Sequence, residues 1–339
     1  MNGLFLVKNG AADKAFELRD VNLSPGENEV LVKTEAFGLN YADIMARLGL
    51  YQDCPPLPTI IGYEAVGRIE AIGENVKNVK VGDRVLAFCR FGAYASHVVT
   101  KDIAVVPIGE DLPAGEATAL ATQYTTAWYA LEEKLNLHKG DKILIHAAAG
   151  GVGTALIQMA KKRGCTIAGT ASAHKHDYLR EQGVDLAIDY RNQDFEKVLE
   201  NEGWKGQLDA VFDPTGGQSV RKGVNLLNSG GSMVMYGASS MTDASNVFQK
   251  LKVATGFGIW SPIVLLTRSI SLIGVNMLRI ADNKPELLQH CMEQCVNLAN
   301  AGELKPTVGG EFKASDLAQA HEYLQSRKSI GKIVVHWDL

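Results

Sequence analysis

The feature that most constrains this chain is a glycine cluster, HAAAGGVG, running from His146 to Gly153. An apolar, β-branched run at Lys142–His146 leads into it, and a helical pattern at Val152–Lys162 follows. The spacing is Ala148-x-Gly150-x-x-Gly153. A glycine here permits a tight turn, a second lets a pyrophosphate approach the backbone, and a third lets the helix pack close to its strand. The helix then directs its free N–H groups and positive end at the anion. A turn of a doubly wound sheet that binds nothing is the alternative reading; the strand before and the helix after argue for a dinucleotide loop.

The residues around the cluster fit that reading. From about Tyr124 strand-like and helix-like segments alternate. Strands are predicted at 142–146, 166–171, 186–189, 210–213, 233–236 and 272–276, with helices including 152–162, 175–182, 219–227 and 284–301. Such alternation means βαβ units and a parallel sheet with helices on both faces. Before Gln123 the texture differs. NEVLVKTEAFGLN alternates and then turns at Gly38, while EAVGRIEAIGENV and VGDRVLAF are β-branched runs broken by glycine. The tail reads as a helix and a strand, the strand returning to the first domain. With 339 residues, two domains are expected. They are 1–123 with 303–339, and an inserted 124–302.

Which dinucleotide binds depends on the end of the second strand. An NAD site carries an acid there for the ribose 2′-OH. This chain has Thr170, Ala171 and Ser172, then Lys175 between His174 and His176. A hydroxyl and a cation suit a 2′-phosphate, so NADPH is the expected cofactor. The competing view of Lys175 is a solvated residue in the first turn of a helix.

Charge and cysteine content narrow the setting. A net charge of −4 without a basic stripe gives no reason to expect nucleic acid or an anionic membrane. Five scattered cysteines suit a reducing, cytoplasmic compartment rather than a disulfide framework. Cys291 and Cys295 read as core residues of one helix face. No signal peptide and no transmembrane span are expected, since Val253–Thr267 is short and carries Pro262.

GLNYADIMARLGLY, IGYEAVGRIEAIGENV, VGDRV and HAAAGGVG, in that order, resemble the medium-chain dehydrogenase/reductase superfamily. Within it the chain resembles the zinc-free quinone oxidoreductase branch and the vesicle amine transport membrane protein-like subgroup, the latter through TASAHKH and the long segment after the fifth strand. The resemblance implies a GroES-like β domain plus a Rossmann domain, an active site in the cleft between them, and a homodimer. Zinc-dependent members carry cysteine at the position of Asn40, histidine at that of Tyr63 and cysteine near Thr122; only the acid, Glu64, remains. Asn, Tyr and Thr do not replace thiolate and imidazole, so no catalytic zinc is expected, and Glu64 reads as a structural residue.

Further residues follow from the same resemblance. Asn40 and Tyr51 line this cleft and are the candidate catalytic residues, Tyr51 as a donor to substrate oxygen and Asn40 as a residue orienting either the nicotinamide side or the substrate. Packing of Tyr51 on the prolines of its own loop is an equal reading. Thr126 lies near the nicotinamide end, and Gly150, Gly151 and Val152 approach the pyrophosphate. Ser172 and Lys175 take the 2′-phosphate, Tyr190 flanks the adenosine, and Tyr236, Gly237 and Ala238 follow the ribose. Gly331 and Lys332 match a segment that closes over the cleft. Without zinc to stabilise an alkoxide, the expected substrate is already electron-poor: a quinone or an α,β-unsaturated carbonyl. A binding or transport-related protein that holds NADPH with little turnover is the alternative. Ser239–Ser269, rich in apolar residues, reads as a lid or dimer element, a substrate wall or a lipid contact.

Overall fold

The computed structural model describes residues 1–244 and 246–339. They form two compact units: Met1–Thr125 with Met277–Leu339, and Thr126–Asn276. Ser245, inside the long segment after the fifth strand, lies outside the described residues.

The second unit holds a six-stranded parallel sheet. Its strands are Lys142–Ile145, Thr166–Ala171, Leu186–Asp189, Leu208–Asp213, Leu227–Met235 and Ser271–Gly274. Numbered along the chain, they lie side by side in the order three-two-one-four-five-six. This is a doubly wound, Rossmann-like arrangement. Ile143, Leu144, Ile167, Val211, Phe212 and Val234 are fully buried, as expected for strands covered on both faces. Each such side chain contributes about 1.5–3 kcal/mol by leaving water. The helix Gly151–Arg163 ends at Gly164, whose φ of 76° and N–H bonds back to Ala160 and Lys161 close the last turn.

The first unit is built on a seven-stranded sheet. Three neighbouring strands matter most: Lys332–His336, Glu29–Leu39 and Glu64–Ile72. Their antiparallel register sets Ile333 beside Leu39 and Phe37 beside Ala65. Lys332, Asn40 and Glu64 therefore stand at one end of three adjacent strands. Gly38 is not the turn expected from sequence. It lies within Glu29–Leu39, and a Cβ on it would fall 2.1 Å from Lys332 Cε and 2.3 Å from Glu64 Oε1. Glycine is needed there because two side chains cross its face.

The chain returns to the first unit at Met277, earlier than residue 303. Pro285–Asn300 continues the alternating rhythm of the sheet unit, yet it packs against Asp102–Ala104 and Val105–Pro107 of the first unit. Its inward face buries Leu288, Cys291, Met292, Cys295 and Val296, which places both cysteines in the core. Val253–Thr267 spans parts of two short helices, Val247–Gly256 and Pro262–Arg268. Among the described residues no helix is long and apolar enough to cross a membrane.

Candidate active site

In the second unit the candidate cofactor residues gather at the carboxyl edge of the sheet, where ligands of open α/β sheets bind. Gly150 caps the helix Gly151–Arg163. A Cβ on Gly153 would lie 2.6 Å from the carbonyl oxygens of Ala147 and Ala148, so only glycine lets helix and strand come this close. The sharp turn itself is made by Ala147, a non-glycine residue at φ 51°, a conformation that costs about 1 kcal/mol or more. Backbone bonds from Ala148 N–H to Thr170 O (3.0 Å) and from Gly150 N–H to Ala147 O (2.9 Å) hold it. The first N–H groups of the following helix have no partner within the helix and face an incoming anion. This cradle fits a pyrophosphate.

Ser172 follows the second strand, and Lys175 closes the short 3₁₀ turn after it. Both are buried, and the Lys175 N–H donates to Ser172 O at 2.9 Å. Burial and then the charge of Arg191 push the Lys175 ammonium down to about 8. A cation made uncomfortable in this way gains from a phosphate partner. Lys175 is thus not the solvated helix residue of the competing reading. Tyr190, 40% exposed, follows the neighbouring third strand. Tyr236, Gly237 and Ala238 leave the fifth strand; a Cβ on Gly237 would lie 2.6 Å from Pro214 O. Thr126, the first residue of this unit, is buried.

In the first unit a fully buried ion pair joins Lys332 to Glu64. Asn40 Nδ2 donates to both Glu64 oxygens, at 2.9 and 2.8 Å, and Thr122 Oγ1 donates to Glu64 as well. The Lys332 ammonium also donates to Asn40 Oδ1 at 3.1 Å. Asn40 and Glu64 thus hold the Lys332 ammonium with an amide oxygen and a carboxylate, and the Thr122 hydroxyl reaches the carboxylate from the other side. An ammonium is itself a cation with no lone pair to offer a metal. Among the described residues, no group of three or more His, Cys, Asp or Glu could hold a metal ion.

Two of the residues expected at the site meet here. Lys332 is fully buried and joined to Glu64 and Asn40 within the first unit. Asn40 caps the helix Tyr41–Arg47 through a reciprocal box with Asp43, whose Oδ2 accepts the Asn40 N–H at 2.7 Å. With its amide also engaged by Glu64 and Lys332, Asn40 anchors the cluster. Burial holds the Asp43 carboxyl well above the usual carboxylate range, and Glu64 adds to this.

Tyr51, the other candidate catalytic residue, lies in the loop after the helix Tyr41–Arg47. It is partly buried, its ring packing edge-on to Tyr63 at 6.2 Å between centroids. Burial, then the charge of Asp53, raises its hydroxyl above its ordinary value, so it stays a donor through the neutral range. Asp53 accepts a bond from Arg279 at 2.5 Å, tying the Tyr51 loop to the helix Met277–Asn283.

The long segment presents Phe248, Ile259 and Leu266 at 85%, 101% and 80% exposure. Arg191 and Asp189, which act on the turn at Lys175, and the partners of Lys332 were not singled out from the sequence. Arg191 adjoins Tyr190 in IDYRN, but nothing in that string shows that its charge acts on Lys175.

The comparisons agree with this organisation. An alcohol dehydrogenase GroES-like domain matches residues 26–113 and a zinc-binding dehydrogenase domain matches residues 182–335. The human synaptic vesicle membrane protein VAT-1 homolog is 35% identical over 315 residues, covering 92% of this chain and 80% of that protein. Escherichia coli quinone oxidoreductase complexed with NADPH matches with a TM-score of 0.85 at 27% identity, covering 99% of this chain and 100% of that one. CurK enoyl reductase matches with a TM-score of 0.85 at 27% identity, covering 99% of each.

Proposed function

Because this chain belongs to the medium-chain dehydrogenase/reductase superfamily, close to VAT-1 homologues and quinone oxidoreductases, we propose that it is a zinc-independent, NADPH-dependent reductase of quinones or α,β-unsaturated carbonyls. What supports the reading is the burial of Ser172 and Lys175 after the second strand of the sheet unit, together with the buried Lys332–Glu64 ion pair in the first unit.

Bound NADPH supplies a hydride. The protein's part is binding, orientation and polarisation. Backbone N–H groups of Gly150, Gly151 and Val152 receive the pyrophosphate, and Ser172 and Lys175 receive the 2′-phosphate. Tyr190 flanks the adenosine, Tyr236, Gly237 and Ala238 line the ribose, and Thr126 borders the nicotinamide. The Tyr51 hydroxyl donates to the substrate oxygen and stabilises the negative charge that develops there. Asn40, Glu64, Thr122 and Lys332 hold the strand ends from which the Tyr51 loop departs. The proposed acceptors are electron-poor, so hydride transfer to them needs no alkoxide.

The test is NADPH titration followed by a panel of quinones and enones. The proposal predicts one NADPH consumed per acceptor reduced. Tight binding without consumption across the panel would refute it and favour the binding-protein alternative, which the likeness to the human VAT-1 homolog keeps in view.

A further inference from the structure

We propose that the Arg191 guanidinium is a second ligand of the cofactor's 2′-phosphate, facing Lys175, and that it helps set the preference for the phosphorylated nucleotide. The inference rests on the NADPH reading above.

Sheet register brings the two residues together. The second and third strands run parallel with Ala171 beside Asp189, so Ser172 and Tyr190 leave the sheet as neighbours. One buried carboxylate then pins both departing turns. Asp189 accepts the Arg191 N–H at 3.1 Å and Asn192 Nδ2 at 2.6 Å, and the backbone N–H of Ala173, in the turn that carries Lys175, helps to hold its carboxyl below the ordinary value. Gln193 closes the second turn by accepting the Asp189 N–H at 3.0 Å.

The charges make this arrangement informative. Two turns fixed by one carboxylate carry one cation each, and the cations are close enough that Arg191 disfavours the charge on Lys175. Among the described residues Arg191 is exposed and joins no ion pair. The Asp189 carboxylate already accepts N–H bonds from both turns. Two cations held together against their repulsion form a place for a dianion, and a guanidinium can bind phosphate with two parallel N–H bonds. Ser172 at the base of the first turn adds a hydroxyl.

The experiment uses 2′,5′-ADP and 5′-AMP, which differ only by the 2′-phosphate, with affinities measured by calorimetry on the full chain. Arg191→Ala is expected to weaken 2′,5′-ADP about tenfold and leave 5′-AMP unchanged. Arg191→Lys should recover part of the loss through charge alone. Phosphorus NMR of bound 2′,5′-ADP should show its 2′-phosphate titrating at higher pH in Arg191→Ala than in the parent chain. Unchanged 2′,5′-ADP affinity in Arg191→Ala, or equal loss for both nucleotides, overturns the inference. Lys175→Ala separates the two levels. If it removes 2′-phosphate discrimination while Arg191→Ala does not, the inference falls and the NADPH reading stands. If neither variant discriminates, the NADPH reading falls too.

Discussion

Lys332→Met is the sharpest test of the buried cluster around Glu64. Lys332 and Glu64 are both fully buried. Removing the ammonium leaves the Glu64 carboxylate with only neutral donors, the Asn40 amide at 2.8 and 2.9 Å and the Thr122 hydroxyl. Breaking a buried pair from one side costs about 3–5 kcal/mol. For a unit of this size that is a fall in melting temperature of roughly 6–20 °C. Trp337 is the one tryptophan of the first unit, and its ring lies 6.4 Å from that of Phe37 in the same sheet. With Trp128, Trp204 and Trp260 changed to Phe, its fluorescence follows unfolding of that unit separately, which matters because a two-unit chain need not unfold in one step. Lys332→Met should lose the full amount in urea. Lys332→Met with Glu64→Met should recover at least about 2 kcal/mol, since replacing both charges by apolar groups is far less costly than orphaning one. A single variant that loses less than about 1 kcal/mol, or a double variant no better than the single, would refute the claim that this pair organises the strand ends.

Two further outcomes follow from particular side chains. Lys175, held down to about 8 in a folded chain against an ordinary 10.5, is charged below that pH and loses its charge above it. The preference for NADPH over NADH should therefore fall as pH rises from 7 to 9 and be flat in Lys175→Ala; its depressed pKa also makes the empty protein relatively more stable as pH rises from about 8 towards 10.5, by linkage. Tyr51→Phe removes the proposed donor to substrate oxygen, so kcat should drop roughly 100–1,000-fold while NADPH affinity, measured by nucleotide fluorescence, stays unchanged; an equal loss in both would make Tyr51 a packing residue of its loop.

The parts legible in the sequence were those written in local pattern. The strands Thr166–Ala171 and Leu186–Asp189 lie where their β-branched runs placed them. The helix after the glycine cluster was marked by the cluster itself, and Ser172 and Lys175 stood out because no acid occupied their place. What stayed hidden depended on contacts between distant segments. Gly38 looked like a turn because glycine usually signals one; its reason is the pair of side chains crossing it from Glu64 and Lys332. Lys332 matched a cofactor-side segment by resemblance, and only the register of its strand beside Glu29–Leu39 turned it toward Glu64. The second boundary came earlier than expected because Pro285–Asn300 keeps the rhythm of the sheet unit while burying its apolar face elsewhere. Arg191 was overlooked because its importance lies in a turn held by Asp189, which no periodicity reveals.

The central claim is the proposal that this chain reduces its acceptor without zinc, with the buried Lys332 ammonium paired to Glu64. It is tested most directly by metal content and turnover measured on the same preparation. Protein dialysed exhaustively against chelator should contain zinc far below one atom per chain and should reduce its quinone or enone with NADPH at the undialysed rate. One zinc retained per chain, or a rate lost on chelation and restored by added zinc, would contradict the account.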